Sequence, residues 1–226
     1  MTSVFPRDMR ISLPKAVRAE GCYIYDDTGK AYFDGSSGAA VSCLGHGDPE
    51  IISAVQDQTQ SLAFAHTGFF TSEPAEKLAS LLADYTPGDL NRIYFVSGGS
   101  EAIEAALKLA RQYHVENGNS DRRHLISRRQ SYHGNTLGAL GAGGNEMRRV
   151  KFQPLLMNVH HIAPCYEYIL KDEGEDSYDY GQRAAQELED EILRLGPETV
   201  IAFIAEPVVG ATLGAVPAVE GYFQKI

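Results

Sequence analysis

A Ser-Gly-Gly-Ser segment at residues 97–100 has the composition of a phosphate-binding turn. Gly98 and Gly99 allow the backbone to turn sharply and let a ligand approach it closely. The residues that follow have helical periodicity, so free N–H groups and the positive end of the helix dipole would face that ligand. The same residues could instead form an ordinary tight turn capped by serine. The spacing matches neither the nucleotide P-loop nor the dinucleotide Gly-x-Gly-x-x-Gly pattern.

Two other segments could complete a ligand site. Tyr132-His133-Gly134 offers an aromatic ring, which stacks on a flat heteroaromatic ligand and excludes water, beside a glycine that leaves room for it. Taken alone, the segment is better explained by a core aromatic at a strand end with a turn glycine. Glu206 directly follows an unbroken apolar run at residues 199–205. Open α/β sheets bind ligands at the carboxyl ends of such buried strands.

The elements that must position these residues alternate between strand and helix patterns. Arg92–Val96 is apolar, β-branched and aromatic, which predicts a buried strand before the glycine turn. Glu104 and Lys108 have the spacing of an ion pair on the following helix. The whole chain predicts an α/β fold, with a mainly parallel sheet flanked by helices. The predicted strands lie near 92–96, 123–127, 157–162 and 199–205, and the predicted helices at about 49–62, 73–85, 100–116 and 179–195.

The amino-terminal part shows fewer regular patterns. Residues 1 to about 20 form an arm with little periodicity, and residues 23–33 predict a hairpin around a glycine turn. Asp48 is expected to cap a helix that starts at Pro49. We expect His46, in the loop before it, to hydrogen-bond to the backbone, because no partner for a catalytic role is evident nearby.

Composition limits the classes of partner. The chain has 226 residues, a formal net charge of −10 and no basic run, which argues against nucleic acid and anionic membranes as partners. No segment approaches the roughly 20 apolar residues of a membrane span. Three scattered cysteines show neither metal spacing nor a disulfide framework. These features favour a cytoplasmic protein without a bound metal.

Four sequence blocks together resemble the class III aminotransferases, which are fold-type-I enzymes that use pyridoxal 5'-phosphate (PLP). The glycine turn with its helix, Ser-Gly-Gly-Ser-Glu-Ala and then Glu-Ala-Ala-Leu-Lys-Leu-Ala-Arg, is similar to the cofactor-phosphate loop of that family. Tyr-x-Tyr-Asp-Asp-x-x-Gly-Lys with Leu-Gly-His-Gly-Asp-Pro is the second block. Tyr-His-Gly is the third, and Glu-Pro-x-x-Gly is the fourth.

The resemblance implies a site and an assembly. The phosphate of PLP would contact the loop from Gly98 to Ser100, and the ring would stack on Tyr132. The remaining cofactor-binding candidates are His133, Gly134 and Glu206. Residues 1–50 would belong to a smaller α+β domain and residues 51–226 to an incomplete large PLP-binding domain. Substrates would be an amine or amino acid and a keto acid, and the complete enzyme would be a homodimer. Phe69 and Phe70 fit either a dimer contact or core packing.

The Asp-Glu-Val segment and the Schiff-base lysine of the family have no counterpart in the sequence, so no catalytic residue is assigned. We therefore expect the amino-terminal half of an aminotransferase, inactive and prone to self-association when alone. The alternatives are a non-catalytic fragment or split-enzyme subunit that binds phosphate or partner chains, and a sugar-phosphate or nucleotide-binding α/β domain.

Overall fold

The computed structural model describes residues 3–226, which fall into two compact units. The first unit ends at Ile93, and the second runs from Tyr94 to Ile226. The domain boundary predicted near residue 50 stays a prediction. Among the described residues, no helix has both the length and the apolar character needed to cross a bilayer.

The first unit begins with a three-stranded antiparallel sheet. Its strands are β1 (Ala16–Glu20), β2 (Tyr23–Asp26) and β3 (Ala31–Phe33), in that order. The predicted hairpin is confirmed by the pairing of β2 with β3. The prediction of an irregular arm up to residue 20 is wrong, because β1 pairs with β2. The Arg18 guanidinium also lies 3.4 Å from the centre of the Tyr25 ring on the neighbouring strand.

A buried carboxylate holds the turn of this hairpin. Asp26 Oδ1 accepts the backbone N–H groups of Thr28 at 2.9 Å and Lys30 at 3.0 Å, and also the Thr28 hydroxyl at 2.6 Å. Asp26 Oδ2 accepts the Tyr32 hydroxyl at 2.8 Å. The hydroxyl hydrogen bond from Thr28, followed by that from Tyr32, lowers the pKa of Asp26 to about 2. The turn is therefore built around an ionised carboxylate.

Replacing Tyr32 with phenylalanine should raise the pKa of Asp26. The folded pKa lies below the unfolded value of about 3.9, so ionised Asp26 stabilises the hairpin fully above that pH, and the stabilisation is lost as the pH falls toward 2. Carboxyl ¹³C NMR should show a titration midpoint near 2 in the wild type and a higher one in Tyr32→Phe. Thr28→Val should raise it further, and equal midpoints in all three proteins would contradict the assignment.

Three helices follow the sheet: α1 (Ser37–Ala40), α2 (Pro49–Leu62) and α3 (Glu73–Ala83). The predicted cap of α2 is confirmed, since Asp48 Oδ1 accepts the N–H groups of Glu50 at 2.9 Å and Ile51 at 3.0 Å. The prediction for the His46 ring is wrong. Its Nε2 lies 2.9 Å from the Asp34 carboxylate, while its backbone pairs with Gly21 and so brings the loop to the sheet.

The second unit is an α/β unit around a short parallel sheet. Its three sheet strands are β4 (His124–Arg128), β5 (His160–Ile162) and β6 (Val200–Phe203), in the order β5-β4-β6. Both pairings are parallel, as predicted. The other α-helices and strands are α4 (Gly99–Glu116), α5 (Leu137–Ala142), α6 (Glu146–Arg149), α7 (Glu167–Leu170), α8 (Ser177–Leu195), β7 (Val208–Val209), β8 (Val216–Pro217) and α9 (Tyr222–Lys225), and two short 3-10 helices lie at Val150–Leu155 and Pro197–Thr199.

Apolar side chains cover both faces of the central strand β4. Alternate residues of a strand point to opposite faces, so Leu125 and Ile126 enter different clusters. Leu125 packs with Ala142 and Val159, whereas the cluster of Ile126 contains Leu188 of α8. This burial on both faces confirms the predicted α/β class, with a mainly parallel sheet flanked by helices.

The strand predicted at residues 92–96 is absent. Tyr94 is 80% exposed, and residues 92–96 form no ladder with any strand in the part of the chain that the structure describes. A strand requires a neighbour that accepts its backbone hydrogen bonds, and here neither edge of the β5-β4-β6 sheet provides one. Phe69 and Phe70 of the first unit are also exposed, so they do not pack in a core.

Candidate cofactor site

The glycine turn leaves backbone donors free at the start of α4. Gly98 caps this 18-residue helix in an extended conformation. Within residues 3–226, the N–H groups of Gly98, Gly99 and Ser100 have no acceptor. A Cβ placed on Gly98 or Gly99 would meet no atom within 4 Å. These donors therefore face open space at the positive end of a long helix dipole, where an anion is stabilised.

An acidic side chain fixes the entry to the same helix. The Glu101 carboxylate accepts both the backbone N–H of Ser97, at 2.8 Å, and the Ser97 hydroxyl. The hydroxyl hydrogen bond is the main reason that the pKa of Glu101 lies below its usual range. Glu101 thus holds the residue before the glycines in place.

The Tyr132–Gly134 loop packs directly on the glycine turn. The backbone N–H of Asn135 donates to Ser100 Oγ at 2.9 Å. Gly134 has a φ of +140°, and a Cβ there would lie 2.6 Å from Ser100 Oγ and 2.9 Å from Ser100 Cα. The added Cβ would also lie 2.8 Å from Ala139 Cβ, so the room that Gly134 leaves is filled by Ser100 and Ala139 and is not left open for a ligand as the sequence suggested. This close approach joins two of the predicted site segments.

Substituting Gly134 with alanine should separate these two segments. Overpacking costs about 1–3 kcal/mol, and the positive φ adds strain for any residue with a Cβ. Gly118→Ala is a matched control, because Gly118 has a φ of +78° but no atom within 4 Å of an added Cβ. Urea unfolding should show a larger loss for Gly134→Ala than for Gly118→Ala. Equal losses would mean that the close packing around Gly134 is unimportant.

Glu206 links the ends of β4 and β6. Its Oε2 accepts the backbone N–H of Tyr132 at 3.1 Å, and its Oε1 accepts that of Gly210 at 3.3 Å. Tyr132 is 40% exposed, and the Arg148 guanidinium lies 4.8 Å from the centre of its ring. An aromatic ring has two faces, and a ring with a cation over one face can still stack a flat ligand on the other.

His133 supports the loop from inside the unit. Its ring is buried, and its Nε2 lies 3.3 Å from Ser127 Oγ. Burial is the main cause that lowers the pKa of His133. A buried imidazole that contacts β4 is suited to holding the neighbouring Tyr132 in position.

Two side chains that contribute to the site were not recognised from the sequence. Glu104, expected to pair with Lys108, instead accepts the N–H groups of Gly138 at 3.0 Å and Ala139 at 3.3 Å, and so caps α5. Its partners lie 34 and 35 residues further along the chain, which no local pattern reveals. Arg128 is buried and donates from Nη2 to the Glu206 carbonyl oxygen. The sequence signal that could have identified Arg128 is its position as an arginine at the end of a buried strand.

The arrangement fits an aromatic ring that carries a phosphate. Free N–H groups and open space suit the phosphate, and the partly exposed Tyr132 ring suits the aromatic part. All seven residues that the sequence indicated lie in the second unit. The Tyr132 segment is hydrogen-bonded to Glu206 through the Tyr132 N–H and to Ser100 through the Asn135 N–H. The donor set therefore fits the phosphate and ring of PLP.

Fold and site together define an α/β protein of the PLP-dependent fold type I. The aminotransferase class-III family model matches residues 5–226, and the chain belongs to this family. The resemblance found in the four sequence blocks is confirmed.

The relatives support the family assignment over nearly the whole chain. An uncharacterized aminotransferase of Schizosaccharomyces pombe is 47% identical over 94% of this chain and 47% of its own length. The uncharacterized aminotransferase YodT of Bacillus subtilis is 42% identical over 97% of this chain and 49% of its own. The chain thus spans about half the length of these curated relatives.

Solved structures show the same fold. An (S)-enantioselective omega-transaminase from Thermomicrobium roseum has a TM-score of 0.90 and 36% identity, and covers 99% of this chain and 51% of its own. The omega transaminase from Pseudomonas jessenii in complex with PMP has a TM-score of 0.92 and 29% identity, over 100% of this chain and 51% of its own.

Proposed function

We propose that this chain provides the cofactor-binding part of a PLP-dependent class III transaminase. Such an enzyme moves an amino group between an amine or amino acid and a keto acid. When bound, PLP supplies the electron sink for this chemistry. The observation that supports the proposal is the contact between Ser100 and the loop around Gly134, which joins the segment with free N–H donors to the segment that carries the partly exposed Tyr132.

In this proposal each site residue has a distinct task. Gly98, Gly99 and Ser100 donate backbone hydrogen bonds to the phosphate, and Tyr132 stacks on the ring with the face away from Arg148. Glu206 holds the Tyr132 backbone and lines the ring pocket. The buried His133 and the glycine at 134 position Tyr132 and do not themselves need to contact the ligand.

The larger organisation that we propose follows the family. Residues 1–50 contribute to a small domain and residues 51–226 to the large PLP-binding domain. The complete enzyme acts as a homodimer in the cytoplasm, which is consistent with cysteines that are all unpaired in the part of the chain that the structure describes. The exposed Phe69 and Phe70 are available for a contact between subunits.

A binding experiment separates this proposal from a sugar-phosphate or nucleotide domain. Pyridoxine 5'-phosphate carries the ring and the phosphate of PLP but no aldehyde, so it cannot react with surface lysines. We expect calorimetry to show that it binds more tightly than pyridoxine, which lacks the phosphate, and more tightly than ribose 5-phosphate. Equal affinity for the two phosphates would contradict a site built for an aromatic cofactor.

A further inference from the structure

Apart from the proposed cofactor site, the second unit contains a cavity of about 590 Å³. Four segments line it: residues 129–130 after β4, residues 144–147 and 149 around α6, His161 in β5 and Thr212 after β7. Asn145 and Arg149 also line the small hollow beside Tyr132, so the cavity and the proposed cofactor site share one wall.

The most unusual group in this cavity is a buried arginine. Arg149 is 8% exposed, and its Nε is buried without a hydrogen-bond partner. Its Nη1 lies 3.3–3.4 Å from the two ring nitrogens of His161. No carboxylate among residues 3–226 forms an ion pair with it. Burying a guanidinium without a carboxylate partner is costly, so the site lacks a negatively charged hydrogen-bond acceptor.

His161 joins Arg149 to a second arginine. Its Nε2 lies 3.1 Å from the Gly143 carbonyl oxygen, and its own carbonyl oxygen accepts Arg129 Nη1 at 2.8 Å. Burial, followed by the charge of Arg149, lowers the pKa of His161. An imidazole is neutral or positively charged, so His161 does not supply the missing negative charge. Arg129 Nη2 is 3.9 Å from Glu187 Oε2, which already accepts the Ala163 N–H at 2.7 Å.

Two more features of the lining indicate an anionic ligand. Thr212 Oγ1 is buried without a partner, so a hydroxyl donor is left unsatisfied. Glu146 is the acidic residue among the lining, against the two arginines Arg129 and Arg149. The lining thus has an excess of positive charge in a chain whose formal net charge is −10.

We propose that this cavity binds a small organic anion through a carboxylate or phosphate group. Arginine pairs with both groups through parallel N–H donors, and such charge-assisted hydrogen bonds are strong. The volume is that of a small-molecule site, which leaves room for an organic body attached to the anionic group. The Thr212 hydroxyl donates a further hydrogen bond to the anion, besides those from Arg129 and Arg149. This site goes beyond the transaminase proposal, because it requires neither PLP nor the glycine turn.

Calorimetric titration of the PLP-free chain with succinate and, separately, with inorganic phosphate tests the proposal. Binding of at least one anion is expected, and the comparison identifies which anionic group the site prefers. Arg129→Gln and Thr212→Val should each weaken the binding by about tenfold or more, since each removes a hydrogen bond to a charged group. Arg123→Gln, which removes one positive charge from an exposed position outside the cavity, should leave the affinity unchanged.

Arg149→Lys keeps the charge but removes the unpartnered Nε, so it should also weaken binding, with its folding checked by circular dichroism. Arg129→Gln and Thr212→Val should keep the affinity for pyridoxine 5'-phosphate while they lose that for the anion. This comparison separates the proposal from that of the cofactor site, because the N–H donors of the glycine turn offer inorganic phosphate a second site that does not involve Tyr132. If neither anion binds, or if Arg129→Gln and Thr212→Val bind as tightly as Arg123→Gln, the proposal is wrong.

Discussion

Tyr132→Ala should weaken binding of pyridoxine 5'-phosphate by about 1–3 kcal/mol, which corresponds to roughly 5- to 150-fold in the dissociation constant. The loss combines the stacking of two aromatic rings with the apolar area that the contact buries. The backbone of Tyr132 is held by Glu206 and its loop by Ser100, so the substitution removes the ring while these supports remain. Calorimetry on the two purified proteins measures the difference.

Two further variants make this test specific. Tyr132→Phe keeps the ring face and should bind nearly as well as the wild type. Tyr168→Ala removes an exposed ring that is not part of the site and should have no effect. If Tyr132→Phe loses as much affinity as Tyr132→Ala, the hydroxyl and not the ring face contacts the ligand. Wild-type affinity in Tyr132→Ala would rule out stacking on this residue.

The isolated 226-residue chain should self-associate. Helices α2 and α3 are amphipathic, but their apolar faces are exposed, with Ile51, Ile52 and Val55 on α2 and Leu78 and Leu81 on α3. Apolar helix faces of this kind are normally covered by protein, and exposed patches favour association. Sedimentation velocity over a range of concentrations should show species larger than the 24.7 kDa monomer.

Matched substitutions on α2 test the cause of this association. Val55→Glu places a charge on the apolar face, whereas Gln56→Glu adds the same charge at the next, polar position of the helix. The first variant should dissociate the species and the second should not. A wild-type chain that sediments as a monomer at every concentration would contradict the prediction.

Helices with local signals were predicted well from the sequence. Asp48 with Pro49 marks the start of α2, and the structure places the cap on those residues. The glycine turn likewise precedes α4 as predicted. Capping and helical periodicity act within a few residues, so they can be read directly from the sequence.

Strands and paired side chains were predicted less well, because their partners are distant. Residues 92–96 have the composition of a buried strand but pair with no neighbour, whereas β1 has little pattern and pairs with β2. The contact of His46 with Asp34 spans 12 residues, and that of Glu104 with Gly138 spans 34. Such contacts depend on the tertiary fold, which a local pattern does not contain.

The candidate site was only partly predictable for the same reason. The family motifs identified Gly98, Tyr132 and Glu206, but the role of Gly134 depends on its approach to Ser100 in space. The buried, unpaired Arg149 is one of several arginines in the sequence and is distinguished only by its surroundings.

The most direct test of the cofactor-site proposal is an amide chemical-shift titration of the ¹⁵N-labelled chain with pyridoxine 5'-phosphate. We expect the largest shifts at Gly98, Gly99 and Ser100, whose N–H groups would donate to the phosphate, and further shifts at Tyr132 from ring stacking. Shifts confined to the cavity around Arg149, with the amides of the glycine turn unchanged, would contradict the proposal that this turn binds the cofactor.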